Sequence, residues 1–249
     1  MINDSPPRRI VSLVPSLTET VVHLGLRSDL VACTSFCVEP PSLHREVSLI
    51  GGTKDFDVPR ILALQPTHVL ANQEENTREL VELLMEQVPT LVTFPKGPAD
   101  VPFMLRSMGE FLDRQVLADS LAGEIESTLG LAAGGAAKPK RFLYLIWRVP
   151  YMIAGSDSYI SRLLEWAGWQ NAYQGDERYP ALSVEQINQL KPDHIFLSSE
   201  PFAFRTRHIK ILKDDGIVTG SVSKIDGQLC SWFGWRTLEA LNYVRRLHV

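Results

Sequence analysis

The chain has 249 residues, a formal net charge of −4, and 45% hydrophobic and 22% charged residues. Such a composition belongs to a soluble globular protein and excludes the disordered and fibrous classes. No Lys/Arg block supplies a nucleic-acid footprint and no apolar run approaches the ~18 residues of a membrane span, so neither nucleic acid nor a spanned membrane is an expected partner.

Ahead of Ile10 there is no basic start, apolar stretch and small-residue cleavage site of a secretory signal. A cytosolic chain, or one whose signal is missing, is expected to look this way. Arg9-Ile-Val-Ser-Leu-Val14 then predicts a buried strand of a parallel sheet, ending at Pro15-Ser16. Ser16 or Thr18 can cap the following helix, with Glu19 at capping-box spacing from Ser16, and Gly25 ends it. Leu30-Val31-Ala32 is a strand, Pro40-Pro41 a break, and Gly51-Gly52-Thr53-Lys54 a turn. A short helix from Val58 stops before Pro66, a strand follows at His68–Ala71, a helix at Thr77–Met85 and a strand at Thr90–Phe94. From Asp100, the apolar residues Phe103, Leu105, Met108, Phe111, Leu112, Val116, Leu117, Leu121, Ile125 and Leu129 keep the spacing of one amphipathic helix over 101–131. At ~1.5 Å per residue that helix spans ~40 Å, more than a single βαβ unit needs. Gly134–Pro139 has linker composition.

After the linker the pattern restarts. A strand over Arg141–Ile146, a helix to Ala167-Gly168, a helix over Ser183–Leu190, a strand over His194–Leu197, a strand near 228–230 and a closing helix from Thr237 are predicted. Val58 to Glu74 aligns without a gap on Val184 to Glu200, 126 residues later, with Ile61/Ile187, Leu64/Leu190, Pro66/Pro192 and His68/His194 identical. Arg9-Ile-Val-Ser-Leu pairs with Arg141-Phe-Leu-Tyr-Leu and Leu24-Gly25 with Ala167-Gly168, with eleven more residues between the second pair of landmarks. Self-similarity of this kind outranks local propensity. It predicts two α/β lobes, 1–98 and 139–249, joined by a long helix and linker over 99–138, with a cleft between them. The repeated His68 and His194 are expected to pack at the same turn of each lobe. Cys33, Cys37 and Cys230 are an odd number and read as buried thiols.

The sequence contains no GxSxG, HExxH, GxxxxGK[ST] or GxGxxG. Aromatic residues instead gather where strands end, which is where open parallel sheets bind ligands. Thr34–Cys37 includes Phe36, Trp147 to Met152 includes Arg148 and Tyr151, Ser198 to Phe202 follows one strand, and Ser231 to Arg236 includes Trp232 and Trp235. Flat aromatic faces flanked by arginine suit a large planar ligand bearing amides or carboxylates.

The order Arg9-Ile-Val-Ser-Leu-x-Pro-Ser-x-Thr-Glu19, Leu24-Gly25, Pro40-Pro41, Gly51-Gly-Thr-Lys54, Ile61-Leu-Ala-Leu-x-Pro-x-His-Val-Leu70, Arg148-Val-Pro-Tyr-Met152 and Leu190-Lys-Pro-Asp193 resembles the cobalamin and iron-complex substrate-binding proteins of ABC importers. The resemblance covers nearly the whole chain. It implies two Rossmann-like lobes with parallel sheets joined by one long backbone helix, as in class III periplasmic binding proteins. It also implies a cleft holding cobalamin or a related corrinoid, haem or a ferric siderophore, with contacts at Phe36, Gly52, Thr53, Trp147, Arg148, Tyr151 and Trp232. Phe202 and Trp235 join these from the strand-end reading. Docking on an ABC permease falls to Glu74 or Glu75 on one lobe and Glu200 on the other. The expected protein is a monomer and no enzyme. It needs no cofactor and contributes no metal ligand, since a corrinoid carries its own. The rival readings are a cytosolic enzyme or corrinoid-handling protein using the same cleft, or a binder of haem or a ferric siderophore.

Overall fold

The computed structural model describes residues 7–131, 139–218 and 220–247, so the predicted linker lies, but for Pro139, outside the described residues. The fold divides into two compact units. The first runs to Phe94 and takes in Val101–Glu124 and Phe233–Arg236. The second comprises Pro95–Asp100, Ile125–Trp232 and the chain from Thr237 on. This partition is not collinear with the expected 1–98, 99–138 and 139–249, because a short stretch near the C-terminus belongs with the first unit.

In the first unit, β1 (Ile10–Ser12), α1 (Pro15–His23), β2 (Leu30–Cys33), β3 (Ser48–Leu49), α2 (Val58–Ala63), β4 (His68–Asn72), α3 (Arg78–Met85) and β5 (Thr90–Thr93) follow one another. The strands lie in the order β3-β2-β1-β4-β5 and all pair in parallel. All of β1 and all of β4 except its first residue are buried, which is why Ile10-Val11 and Val69-Leu70-Ala71 are apolar on both faces, with a buried polar residue, Ser12 or Asn72, only at each strand's end. Neither Ser16 nor Thr18 caps α1. Pro15 opens the helix after an extended Val14, and the Thr18 hydroxyl donates to Ser12 Oγ and the Val14 carbonyl.

The predicted single helix over 101–131 is two helices, α4 (Val101–Phe111) and α5 (Gln115–Gly130). Asp113 turns left-handed with φ 50, and the Arg114 amide reaches back to the Gly109 carbonyl at 2.7 Å, ending α4 in a Schellman-type turn. The apolar spacing runs on through the break because both helices bury one face. Met104, Leu105, Met108 and Leu112 are followed by Ala118, Leu121, Ala122 and Ile125, while Phe103, Val116 and Leu117 are exposed. The division between units falls within α5.

The second unit contains β6 (Arg141–Trp147), β7 (Tyr151–Ile153), α6 (Tyr159–Trp166), β8 (Gln170–Asn171), β9 (Ala181–Leu182), α7 (Val184–Leu190), β10 (His194–Ser198), α8 (Arg207–Asp214), β11 (Ser221–Ile225), α9 (Gly227–Ser231) and α10 (Thr237–Val244). Its sheet runs β11-β10-β6-β7-β9, with β8 also on β6. The strand expected near 228–230 is α9. Asp226 caps that helix immediately after β11 by accepting from the Leu229 amide, and Cys230 turns into the core.

The internal repeat holds in atomic detail. β4 and β10 each lie between two parallel neighbours. Gln65 and Lys191, 126 residues apart, both adopt φ 48 at the turn before Pro66 and Pro192. Gly25 and Gly168 have φ 75 and 88. The amides of Leu26 and Trp169 reach back to the Val21 and Leu164 carbonyls, the same helix-ending bond in each unit. The insertion in the second half is the β6–β7 turn with β7, which adds an antiparallel edge.

Candidate functional site

In the first unit the loops at the carboxyl ends of the strands are tied together by two buried asparagines. Asn76 donates to the Leu13 and Thr53 carbonyls at 3.2 and 2.9 Å and accepts from the Asn72 amide at 2.8 Å. Asn72 accepts from the Glu74 and Glu75 amides and donates to the Thr93 carbonyl. The loops after β1, β3 and β4 and the end of β5 are thereby held in one frame. Phe36, Gly52 and Thr53 come together on it. A side chain at Gly52 would lie 2.4 Å from Asp55 Oδ1 and 3.2 Å from the Phe36 ring, so glycine is what allows the close approach. Phe36 remains 58% exposed. Glu74 and Glu75 sit on the neighbouring loop, half-buried and exposed respectively, and Lys54 Nζ donates to the Glu74 carbonyl at 2.5 Å.

Beneath this surface lies a buried layer in which Thr18 and Thr34 contact Cys37 Sγ at 3.0 and 3.2 Å. Cys33, Cys37 and Cys230 are all buried and free. The Cys37 sulfur beside it, and then burial, hold Cys33 in its neutral form.

In the second unit, Trp147 ends β6 and is 40% exposed. Its ring meets the edge of Phe202 at 5.6 Å, and Phe202 in turn packs on Phe204 and His208. Arg148 and Tyr151 converge on Asp215 instead of flanking Trp147. The Arg148 guanidinium lies 3.5 Å from Asp215 Oδ2, and the Tyr151 hydroxyl donates to the same oxygen at 2.5 Å. Tyr151 belongs to the unit's core, packed with Leu182, Ile153 and Leu212. It faces inward because the antiparallel β7 turns it toward the core. Burial and the Asp215 carboxylate push its ionisation upward. Trp232 follows α9, and its indole Nε1–H donates to Glu200 Oε1 at 2.8 Å.

Trp235, expected beside Trp232, belongs to the first unit. It stacks on His23 in the last turn of α1, at 4.5 Å and 12°. The adjacent Arg236 grips Glu19 with two bonds of 2.5 and 2.7 Å. The chain changes unit between Trp232 and Phe233, so the two tryptophans belong to different units.

The two repeated histidines serve packing. His194 bonds the Ser221 and Ser223 hydroxyls at 2.6 and 2.8 Å, and His68 bonds Thr67 and meets the edge of Phe111. Burial lowers both ring pKa values. Among the described residues, no group of three His, Cys, Asp or Glu side chains is arranged to hold a metal ion. The asparagine frame and Asp215 were missed in the sequence, where a lone Asn or Asp in a loop is an ordinary turn residue.

Each unit is an α/β fold with an exposed aromatic side chain, Phe36 or Trp147, at the carboxyl end of its parallel strands. The family model described as "Periplasmic binding protein" matches residues 10–220, and the chain belongs to that family. It is 24% identical over 201 residues to the vitamin B12-binding protein of Pectobacterium carotovorum subsp. carotovorum (strain PC1), covering 78% of this chain and 72% of the relative. It is also 24% identical over 218 residues to the vitamin B12-binding protein of Vibrio parahaemolyticus serotype O3:K6, covering 86% and 75%. The same fold is found in the periplasmic haem-binding protein RhuT from Roseiflexus sp. RS-1, with TM-score 0.82, 23% identity and 97% of each chain covered. It is found too in the periplasmic vitamin B12-binding protein BtuF of Vibrio cholerae, with TM-score 0.79, 21% identity and 97% and 96% coverage.

Proposed function

We propose that this protein is a non-catalytic binding protein for a corrinoid of the cobalamin type, serving an ABC importer. The observation that carries the reading is the presentation of aromatic faces at strand carboxyl ends: Phe36 against Gly52 in one unit, Trp147 against Phe202 in the other. A corrin macrocycle offers a broad face for such rings and amide side arms for polar groups beside them. The curated relatives named as vitamin B12-binding proteins support this ligand. Phe36, Gly52, Thr53, Trp147, Phe202 and Trp232 are the proposed contacts. Arg148 acts beside them from its place on Asp215, and Tyr151 supports the loop from below. Glu74 and Glu75 are the acids proposed to meet the permease. The protein acts as a monomer and needs no resident cofactor.

Haem is the second reading, favoured by neighbours of the same fold whose names give haem as the ligand. Both readings are tested by thermal unfolding with cyanocobalamin, haemin and a ferric siderophore added in turn. A ligand that binds only the folded state stabilises it by about 2.7 kcal/mol at a hundred times its dissociation constant. Cyanocobalamin is expected to give the largest rise in Tm. A larger rise with haemin transfers the assignment to haem, and no rise with any of the three overturns the binding function.

A further inference from the structure

Glu200 is the repeat counterpart of Glu74, yet its carboxylate is engaged in a way that Glu74's loop does not predict. Its Oε1 accepts from Trp232 Nε1 at 2.8 Å and from Ser231 Oγ at 3.1 Å. The backbone that carries the side chain is fixed as well. The Ser198 hydroxyl donates to the Glu200 carbonyl at 2.5 Å and accepts from its amide at 3.3 Å. A Cβ on Gly227 would come within 2.6 Å of Glu200 Cγ, so the first residue of α9 must be glycine for the carboxylate to pass. The Gly227 amide donates to Ser199 Oγ at 2.8 Å, clamping the start of α9 onto the same loop.

An indole has a single donor and two side-chain torsions. Fixing Nε1 therefore fixes both the plane of the ring and the face it presents. Trp232 stands just beyond α9 with extended backbone dihedrals, its amide still bonded to the Gln228 carbonyl. We propose that Glu200 is a positioning residue that orients the Trp232 indole for ligand contact through the Nε1–H···Oε1 bond. The proposal rests on the reading of Trp232 as a ligand contact. It gives Glu200 a task other than the docking expected from the resemblance.

A bond from N–H to an ionised carboxylate is stronger than one to a neutral acceptor, so the lock is tightest when Glu200 is charged. Burial raises the Glu200 pKa, and the negative Asp226 adds to the rise. Ser231, Trp232 and Gln228 oppose it by donating hydrogen bonds. Burial keeps the neighbouring Tyr144 hydroxyl protonated, and the Glu200 charge adds to that. On acidification the lock therefore loosens at a higher pH than an ordinary glutamate would give.

The test uses the full chain labelled at its tryptophan indole nitrogens, with the Trp232 N–H resonance identified by its loss in Trp232→Phe. In the wild type this resonance is expected to move with pH, with a midpoint above the ordinary glutamate value of 4.5. Glu200→Gln keeps an oxygen acceptor, so it should hold the resonance near its neutral-pH position, abolish the titration, and bind cyanocobalamin within about threefold of wild type. Glu200→Ala should shift the Trp232 resonance while the other indole resonances stay in place, and weaken cyanocobalamin at least tenfold. A Trp232 resonance unmoved in Glu200→Ala overturns the lock, as does a wild-type affinity in that variant. If the wild type binds neither cyanocobalamin nor haemin, the ligand reading fails and takes with it the purpose given to the lock. The resonance titration still decides whether Glu200 holds the indole.

Discussion

His194 and His68 illustrate how a repeated residue can be read correctly from its setting. Each stands at the start of an interior strand, β10 or β4, and each ring is taken up by neighbouring hydroxyls and aromatic edges. Burial depresses both folded-state pKa values below the ordinary 6.5. The unfolded chain therefore takes up protons more readily, and stability must fall as pH drops from neutral through 6.5 toward the folded-state values. Urea unfolding of wild type and His194→Gln across that window checks this. The variant should show a shallower loss of stability on acidification, and an unchanged slope would remove His194 from the account. At this scale the site was partly legible. Phe36, Gly52 and Thr53 are brought together by a turn that the glycines announce. The asparagines that frame them carry no such signal, since their partners are backbone groups far away in sequence.

The pair α4 and α5 shows where periodicity misleads. An apolar stripe records which face is buried, and two helices burying the same face in succession write one stripe. The break depends on Asp113, a residue tolerated in the left-handed region but giving no strong stop signal. Gly109 is the other determinant, because a Cβ there would lie 2.5 Å from the Ala118 Cβ. Gly109→Ala is therefore expected to lose about 1–3 kcal/mol by overpacking, with Ala118→Gly relieving part of the loss in the double variant. Additive losses in denaturant unfolding would show that the two positions do not meet. The helix ends at Gly25 and Gly168 and the turns at Gln65 and Lys191 were legible, because local chemistry dictates them.

For the molecule as a whole, the duplication was the strongest signal in the sequence, and it announced two sheets whose parallel strands correspond, β1 to β6 and β4 to β10. The path of the chain was not legible. Phe233–Arg236 returns to the first unit, where Arg236 grips Glu19 and Gly234 lies so close to Thr20 that a Cβ would sit 2.2 Å from its hydroxyl. Removing the guanidinium leaves a nearly buried carboxylate without its cation, which costs about 3 kcal/mol. Arg236→Ala should lower the unfolding midpoint accordingly, and a midpoint within error of wild type would show the pair to be incidental.

The central claim, a metal-chelate binding protein reading its ligand with aromatic faces at strand ends, is tested most directly by the change in Tm on adding cyanocobalamin to wild type and to Trp147→Ala. A clear rise in the wild type and a much smaller one in the variant, matching at least a tenfold loss of affinity or about 1.4 kcal/mol, is the predicted result. Equal rises in both would move the site away from Trp147. No rise in the wild type with cyanocobalamin, haemin or a ferric siderophore would contradict the account.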